Sequence, residues 1–372
     1  MRDQSAARGM TLVELLTASL LAAFIITGLV RLLDLTLDMW AKGEVRREGL
    51  ERSNTVLALL ADDLRSLHGA SSGDLVIDWQ PFDHDGDGLP DRVWPRLRMV
   101  RQVGAGALQR LQLLELSDNE RQAFGMGSTL AADALPLPDP TGLIEVVWAV
   151  LPSDQRADPT GILLRGERLL DDETRDSFLA EKFFNSSGLP PAGSLVEVGG
   201  GVLWLGIECA TQTTLMREGW RVGSELVDAC TSWDAFGRER PDPDLTARNV
   251  PGTGMPAAGE RPLLPRRVRI VLEMERAKDQ KRRTTLLHAV TANSTRLEVD
   301  DGRRLPDRGS FVLVAGEWME VLSVGEDFMG VRRGMRETRP KELPRGAMVH
   351  FGKQVVVEIP IPLHDDDWRV GS

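Results

Sequence analysis

Residues 15–30, LLTASLLAAFIITGLV, contain no charged side chain, and the residue immediately before them is Glu14. With Met10 to Val13 the apolar segment reaches about 20 residues. As a helix that is roughly 30 Å, the thickness of a bilayer's hydrocarbon. A helix buried in a soluble core would carry a polar stripe, and this run has none. A cleaved secretory signal would be shorter and would close on small residues, whereas this segment runs on into TGLVRLLDL. A simple anchor gives no reason for a carboxylate at its head, because an ionisable group in apolar surroundings is costly and generally has a partner. The expectation is a single-pass span over about residues 11–33.

Helical spacing continues beyond this run. Leu50, Leu57, Leu60, Leu64 and Leu67 form an apolar stripe suited to packing on a globular body or on neighbouring helices. A continuous helix from Met10 to Leu67 would measure roughly 85 Å. Gly43 and Gly49 lie inside it, each weakening a helix by about 1 kcal/mol against Ala, so a bend is expected there.

Beyond His68 the pattern changes to short apolar runs separated by Gly, Pro and Asp, which predicts strands. DLVIDW, RVWPRLRMV, LQRLQLLEL, LIEVVWAVL, GILLRGERLL, GVLWLGIEC, RRVRIVLEME and VVVEIPIPL read as strands. The three glycines Gly199–Gly201 read as a turn before one such strand. The expected fold class is α+β: a long N-terminal transmembrane and amphipathic helix packed on an antiparallel β-sheet body, with an inserted small β-barrel-like module. The boundaries are a leader at 1–9, a helix at 10–67, a β-rich body at 68–283, the module at 284–351, and a final strand with an acidic tail at 352–372. The module's turns carry Asp and Gly. Its core reads Gly316-Glu317-Trp318-Met319, with a later Arg332-Arg333-Gly334 turn, and it resembles small β modules of phage tails and other surface proteins.

The chain of 372 residues carries a net charge of −11, which argues against nucleic-acid binding because phosphate neutralisation needs a basic face. Within FDHDGDGLPDRVW, Asp83, Asp85, Asp87 and Asp91 stand at calcium-loop positions 1, 3, 5 and 9, and Leu89 offers a carbonyl at position 7. Position 12 is Trp94 rather than Glu, so this is no EF-hand. It resembles the Asp-rich calcium loops of dockerins and thrombospondin type 3 repeats. Four like charges so close together repel unless a cation compensates them, which favours calcium as a ligand. The two cysteines, Cys209 and Cys230, form no C-x-x-C motif. In the periplasm, where the anchor would place them, they favour a disulfide.

No catalytic residues are expected. Gly69–Gly73 matches G-x-S-x-G, but a helix precedes it and a strand follows, the reverse of a nucleophile elbow. The five histidines are scattered, with no H-E-x-x-H.

The segment RG-MTLVE, Arg8 to Glu14, resembles the class III signal of type IV pilins and type II secretion pseudopilins. In that family a basic leader ends in Gly, a prepilin peptidase cuts after it, and the new terminus is methylated. The resemblance implies cleavage between Gly9 and Met10 and places Glu14 at mature position five. There it would pair with the terminal amine of a neighbouring subunit. The hairpin IEVVWAVLPSDQRADPTGILLRGERLL, and SWDAFG followed by LPRRVRIVLEME, are similar to the minor pseudopilin J family and to W-type minor pilins. The implied partners are other major and minor pseudopilins, prepilin peptidase and the inner membrane, with the body in the periplasm and a place at the filament tip. A type IV pilus minor pilin and a membrane-tethered calcium-dependent binding protein or hydrolase are the alternatives.

Overall fold

The computed structural model describes residues 53–82, 92–104, 142–153, 159–170, 177–180, 183–185, 187–210, 229–230, 232–236 and 267–361 except 337. It also describes single positions between 20 and 33 and at 106, 107, 111, 262, 264 and 265. Compact units cover residues 1–52 and 53–372.

In the first unit the described positions between 20 and 33 are helical and exposed, Phe24 and Leu20 among them.

The second unit is built on antiparallel sheets. Its strands are β1 (Leu75–Phe82), β2 (Arg92–Gln102), β3 (Leu143–Pro152), β4 (Gly161–Leu169), β5 (Val196–Ala210), β6 (Ala229–Cys230), β7 (Trp233–Asp234) and β8 (Arg267–Met274). They continue with β9 (Thr284–Thr285), β10 (Arg296–Glu298), β11 (Phe311–Val314), β12 (Glu317–Val324), β13 (Phe328–Met335), β14 (Met348–His350) and β15 (Lys353–Pro360). Nine strands make one sheet in the order β15-β8-β5-β4-β3-β2-β1-β7, with β6 paired to β5. The other six make a second sheet, β10-β13-β12-β11-β14-β9, formed wholly from the chain between β8 and β15.

Strand β3 shows why its sequence is an unbroken apolar run. Side chains alternate between faces along a strand, and here both faces are covered. Ile144, Val146, Trp148 and Val150 belong to the main core together with Leu57, Leu60 and Leu64 of the helix at residues 53–65. Val147 and Ala149 point the other way, against Phe178, Phe183 and Phe184. At Gly166 on β4 a Cβ would stand 2.5 Å from Leu195 and 2.9 Å from Phe178, so only Gly lets that covering segment approach. The second sheet has its own core, including Leu297, Met319, Met329 and Val349.

Two expectations are corrected. The described residues are mostly antiparallel β-sheet, rather than a long N-terminal helix packed on a sheet. Among the described residues the helix that lies on the sheet covers only 53–65. Its leucine stripe serves one sheet face, and the chain leaves the helix at Ser66 to make a bridge from Leu67 to Arg101. The single-pass inner-membrane placement falls as well, because no helix among the described residues is long and apolar enough to cross a membrane. Most of the expected span, residues 11–33, lies outside the described residues.

The Gly199–Gly201 turn is also revised. These residues lie inside β5, a strand of 15 residues. The pairing of β5 with β4 shifts register between Leu163 and Leu164, and its pairing with β8 shifts between Val202 and Trp204. Gly201 has φ +76, a conformation for which Gly carries no steric cost.

Candidate functional site

A densely bonded site among the described residues joins the helix at 53–65 to strands β2, β3 and β4. Asp63 follows Leu60 by three positions, so it shares the buried face of the helix, and it is fully buried. Its carboxylate has about four lone-pair sites, and four donors reach it. Trp148 Nε1 donates to Oδ2 at 2.7 Å and Arg165 Nε to the same oxygen at 2.8 Å. Arg165 Nη2 donates to Oδ1 at 2.8 Å, and Arg101 Nη1 lies 2.8 Å from that oxygen.

Glu167 completes the cluster, accepting from Nη2 of Arg165 and, at 3.2 Å, from Nη2 of Arg101. Two carboxylates therefore face two guanidiniums, and the buried charge is balanced. Burial opposes the charge on Arg165, but its hydrogen bonds and attraction to Asp63 and Glu167 outweigh that and hold its pKa above the usual arginine range. The guanidinium also lies 5.5 Å from the centre of the Trp148 ring.

Every acceptor position of Asp63 is occupied by a fixed donor, which suits it to holding the helix in place rather than to moving protons. The alternation of β3 puts Trp148 on the helix side, and Arg165 reaches the same side from its register partner position on β4.

The opposite sheet face carries a second polar group. Asp78 on β1 accepts from Arg96 Nε at 3.2 Å and from Arg98 Nη2 at 2.9 Å, both on β2. Glu145 on β3 accepts from Ser177 Oγ at 2.7 Å and from the Phe178 amide at 2.8 Å. Burial pushes the Glu145 carboxyl up, against the lowering effect of those bonds and of Arg168. Glu145 thereby ties the phenylalanine-rich cover to the sheet. Among the described residues no group of three His, Cys, Asp or Glu side chains stands ready to hold a metal.

The residues singled out in the sequence are distributed unevenly over this picture. Gly9, Met10 and Glu14 lie outside the described residues, as do Asp83, Asp85, Asp87, Leu89 and Asp91. The strands flanking the Asp-rich segment pair Phe82 with Arg92, so it joins two hydrogen-bonded strand ends. Cys209 is buried on β5, and the β5–β6 register sets it opposite Cys230. Directly opposed residues of an antiparallel pair have Cα atoms about 4.5–5.5 Å apart, within the span of a disulfide. Peptide mapping without reductant is expected to recover a linked 209–230 peptide pair; two separately alkylated cysteines would contradict this.

Sequence reading missed the Asp63 site. Its signal was an acid on the apolar stripe of a helix, matched by Arg165 within the apolar run GILLRGERLL. The chain matches no known protein-family model and no curated protein.

Proposed function

We propose that the chain is a minor pseudopilin-type subunit, trimmed between Gly9 and Met10, that joins a filament tip with other pseudopilins and acts by assembly rather than catalysis. The observation that carries this reading is RG-MTLVE: a basic leader ending in Gly, then a carboxylate at the fifth position after the cut, then an uncharged run. A carboxylate there gains a partner when the amine of a neighbouring subunit comes to it, so its cost is offset only on assembly. Arrest of the helix at 53–65 by Asp63 is consistent with a subunit that must bear contacts from neighbours without its helix sliding.

Two variants test the reading. Gly9→Ala is expected to retain the leader in an immunoblot. Glu14→Val is expected to be processed normally but to co-purify with far less of its pseudopilin partners. Undiminished partner recovery with Glu14→Val would refute the assembly role.

Calcium at Asp83, Asp85, Asp87 and Asp91, with the Leu89 carbonyl, belongs to the same proposal. Calcium is expected to raise the melting temperature of the wild-type chain and to leave an Asp85→Asn, Asp87→Asn variant unchanged. An equal response of both would remove the metal from the account.

A further inference from the structure

The six-stranded sheet is inserted between two neighbouring strands. β8 ends at Met274 and β15 begins at Lys353, and these two residues are register partners. The outgoing and returning connections therefore leave the body side by side. Two tethers from one point make a hinge unless another contact fixes the module's angle.

That contact is a buried apolar cluster, in which Leu203 and Trp204 on β5 meet Leu313, Phe311 and Trp318 of the module, closed by Arg336. Arg336 sits just past β13, with its side chain 9% exposed. Its guanidinium lies 4.1 Å from the centre of the Trp318 ring and 4.4 Å from that of Phe311, both in the module. It lies 5.1 Å from the ring of Trp204 on β5 of the body. Nη2 donates to Glu273 Oε2 on β8 at 2.7 Å and, at 3.4 Å, to Gln354 Oε1 on β15. The other oxygen of Glu273 accepts from the Gly352 amide, at the root of the returning tether, at 3.1 Å.

A planar guanidinium stacks on rings and pairs with a carboxylate at once, which Lys cannot do. Arg336 does so from φ +50, a left-handed conformation rare for a residue with a side chain. The packing of the surrounding contacts, rather than local preference, holds it there.

We propose that Arg336 locks this cluster, fixing the six-stranded module at one angle on the nine-stranded sheet, and that removing it loosens the module on its two tethers with both folds intact. The tethers are held together independently of this lock. Arg283 pairs with both oxygens of Glu275, and His350 Nδ1 stands 3.5 Å from Glu275 Oε1. The inference does not depend on the role in filament assembly.

The test uses the full chain carrying Arg336→Gly, which adopts the left-handed conformation without strain, and Arg336→Lys, which keeps only the charge. Hydrogen exchange is followed at the Gly352 amide and at core amides of β12 and β13, alongside small-angle scattering. For Arg336→Gly the Gly352 amide is expected to exchange about tenfold faster or more, with β12 and β13 unchanged and the scattering envelope broadened. Arg336→Lys is expected to show the same pattern to a smaller degree. Wild-type exchange at Gly352 with unchanged scattering would overturn the lock. Equal acceleration through β12 and β13 would also overturn it, since Arg336 would then serve only the module's own fold.

Discussion

Asp63→Ala is expected to destabilise the body by about 3–5 kcal/mol, the range for removing one partner from a buried ion pair. The loss comes mainly from what remains. Arg165 and Arg101 would stay enclosed between helix and sheet with Glu167 and, 3.4 Å from Arg101, the exposed Asp62 as their remaining carboxylates, and Trp148 Nε1 would lose its acceptor. Asp63→Asn is expected to cost less, because the amide oxygen still accepts while its NH2 group faces a guanidinium. Trp148→Phe deletes a single hydrogen bond from this site and is expected to cost about 1 kcal/mol beyond any packing change. Denaturant unfolding followed by tryptophan fluorescence reads all three. A loss under about 1 kcal/mol for Asp63→Ala would show that the site does not bear the helix.

Glu317→Ala is expected to produce a comparable loss of about 3–5 kcal/mol, confined to the six-stranded sheet. Glu317 is fully buried, and its carboxylate is saturated in the same way as that of Asp63. Arg333 Nε and Nη2 each donate to it at 2.6 Å, and the Gly334 and Lys341 amides each donate at 3.1 Å. Arg333 in turn donates to the carbonyls of Thr291, Ser294 and Lys341. One ion pair therefore holds three chain segments that belong to no common strand. Hydrogen exchange is expected to accelerate across β10 to β14 while β3 and β4 keep their protection. Unchanged exchange in the module would contradict this role for the pair.

These two carboxylates also mark the limit of what the sequence discloses. The runs that became β3, β4, β8 and β15 are legible because apolar and β-branched residues bounded by Gly, Pro and Asp have few other outcomes. Leu57, Leu60 and Leu64 announce a packed helix by spacing alone. Asp63 does not announce its partners, because Trp148 lies 85 residues away and Arg165 lies 102 away. Nothing local links such residues; only the register of the sheet brings them together. Glu317 and Arg333 stood in the two stretches quoted for the module, yet their pairing follows from the turn that returns β13 beside β12.

The misreadings have physical causes too. Hydropathy and stripe spacing predict a helix but do not report where it starts or stops. The glycines at 199–201 read as a turn because Gly is scarce in strands, but a bulged strand is where that preference reverses. Arg336 gave no signal, since a left-handed conformation at Arg depends on rings and carboxylates from four other strands.

Mass spectrometry of the native protein's first residue decides whether the proposed processing and assembly take place. The expected result is a chain that starts at Met10 with a methylated amine. A native chain that still carries residues 1–9, or one with an unmodified amine at another position, would contradict it.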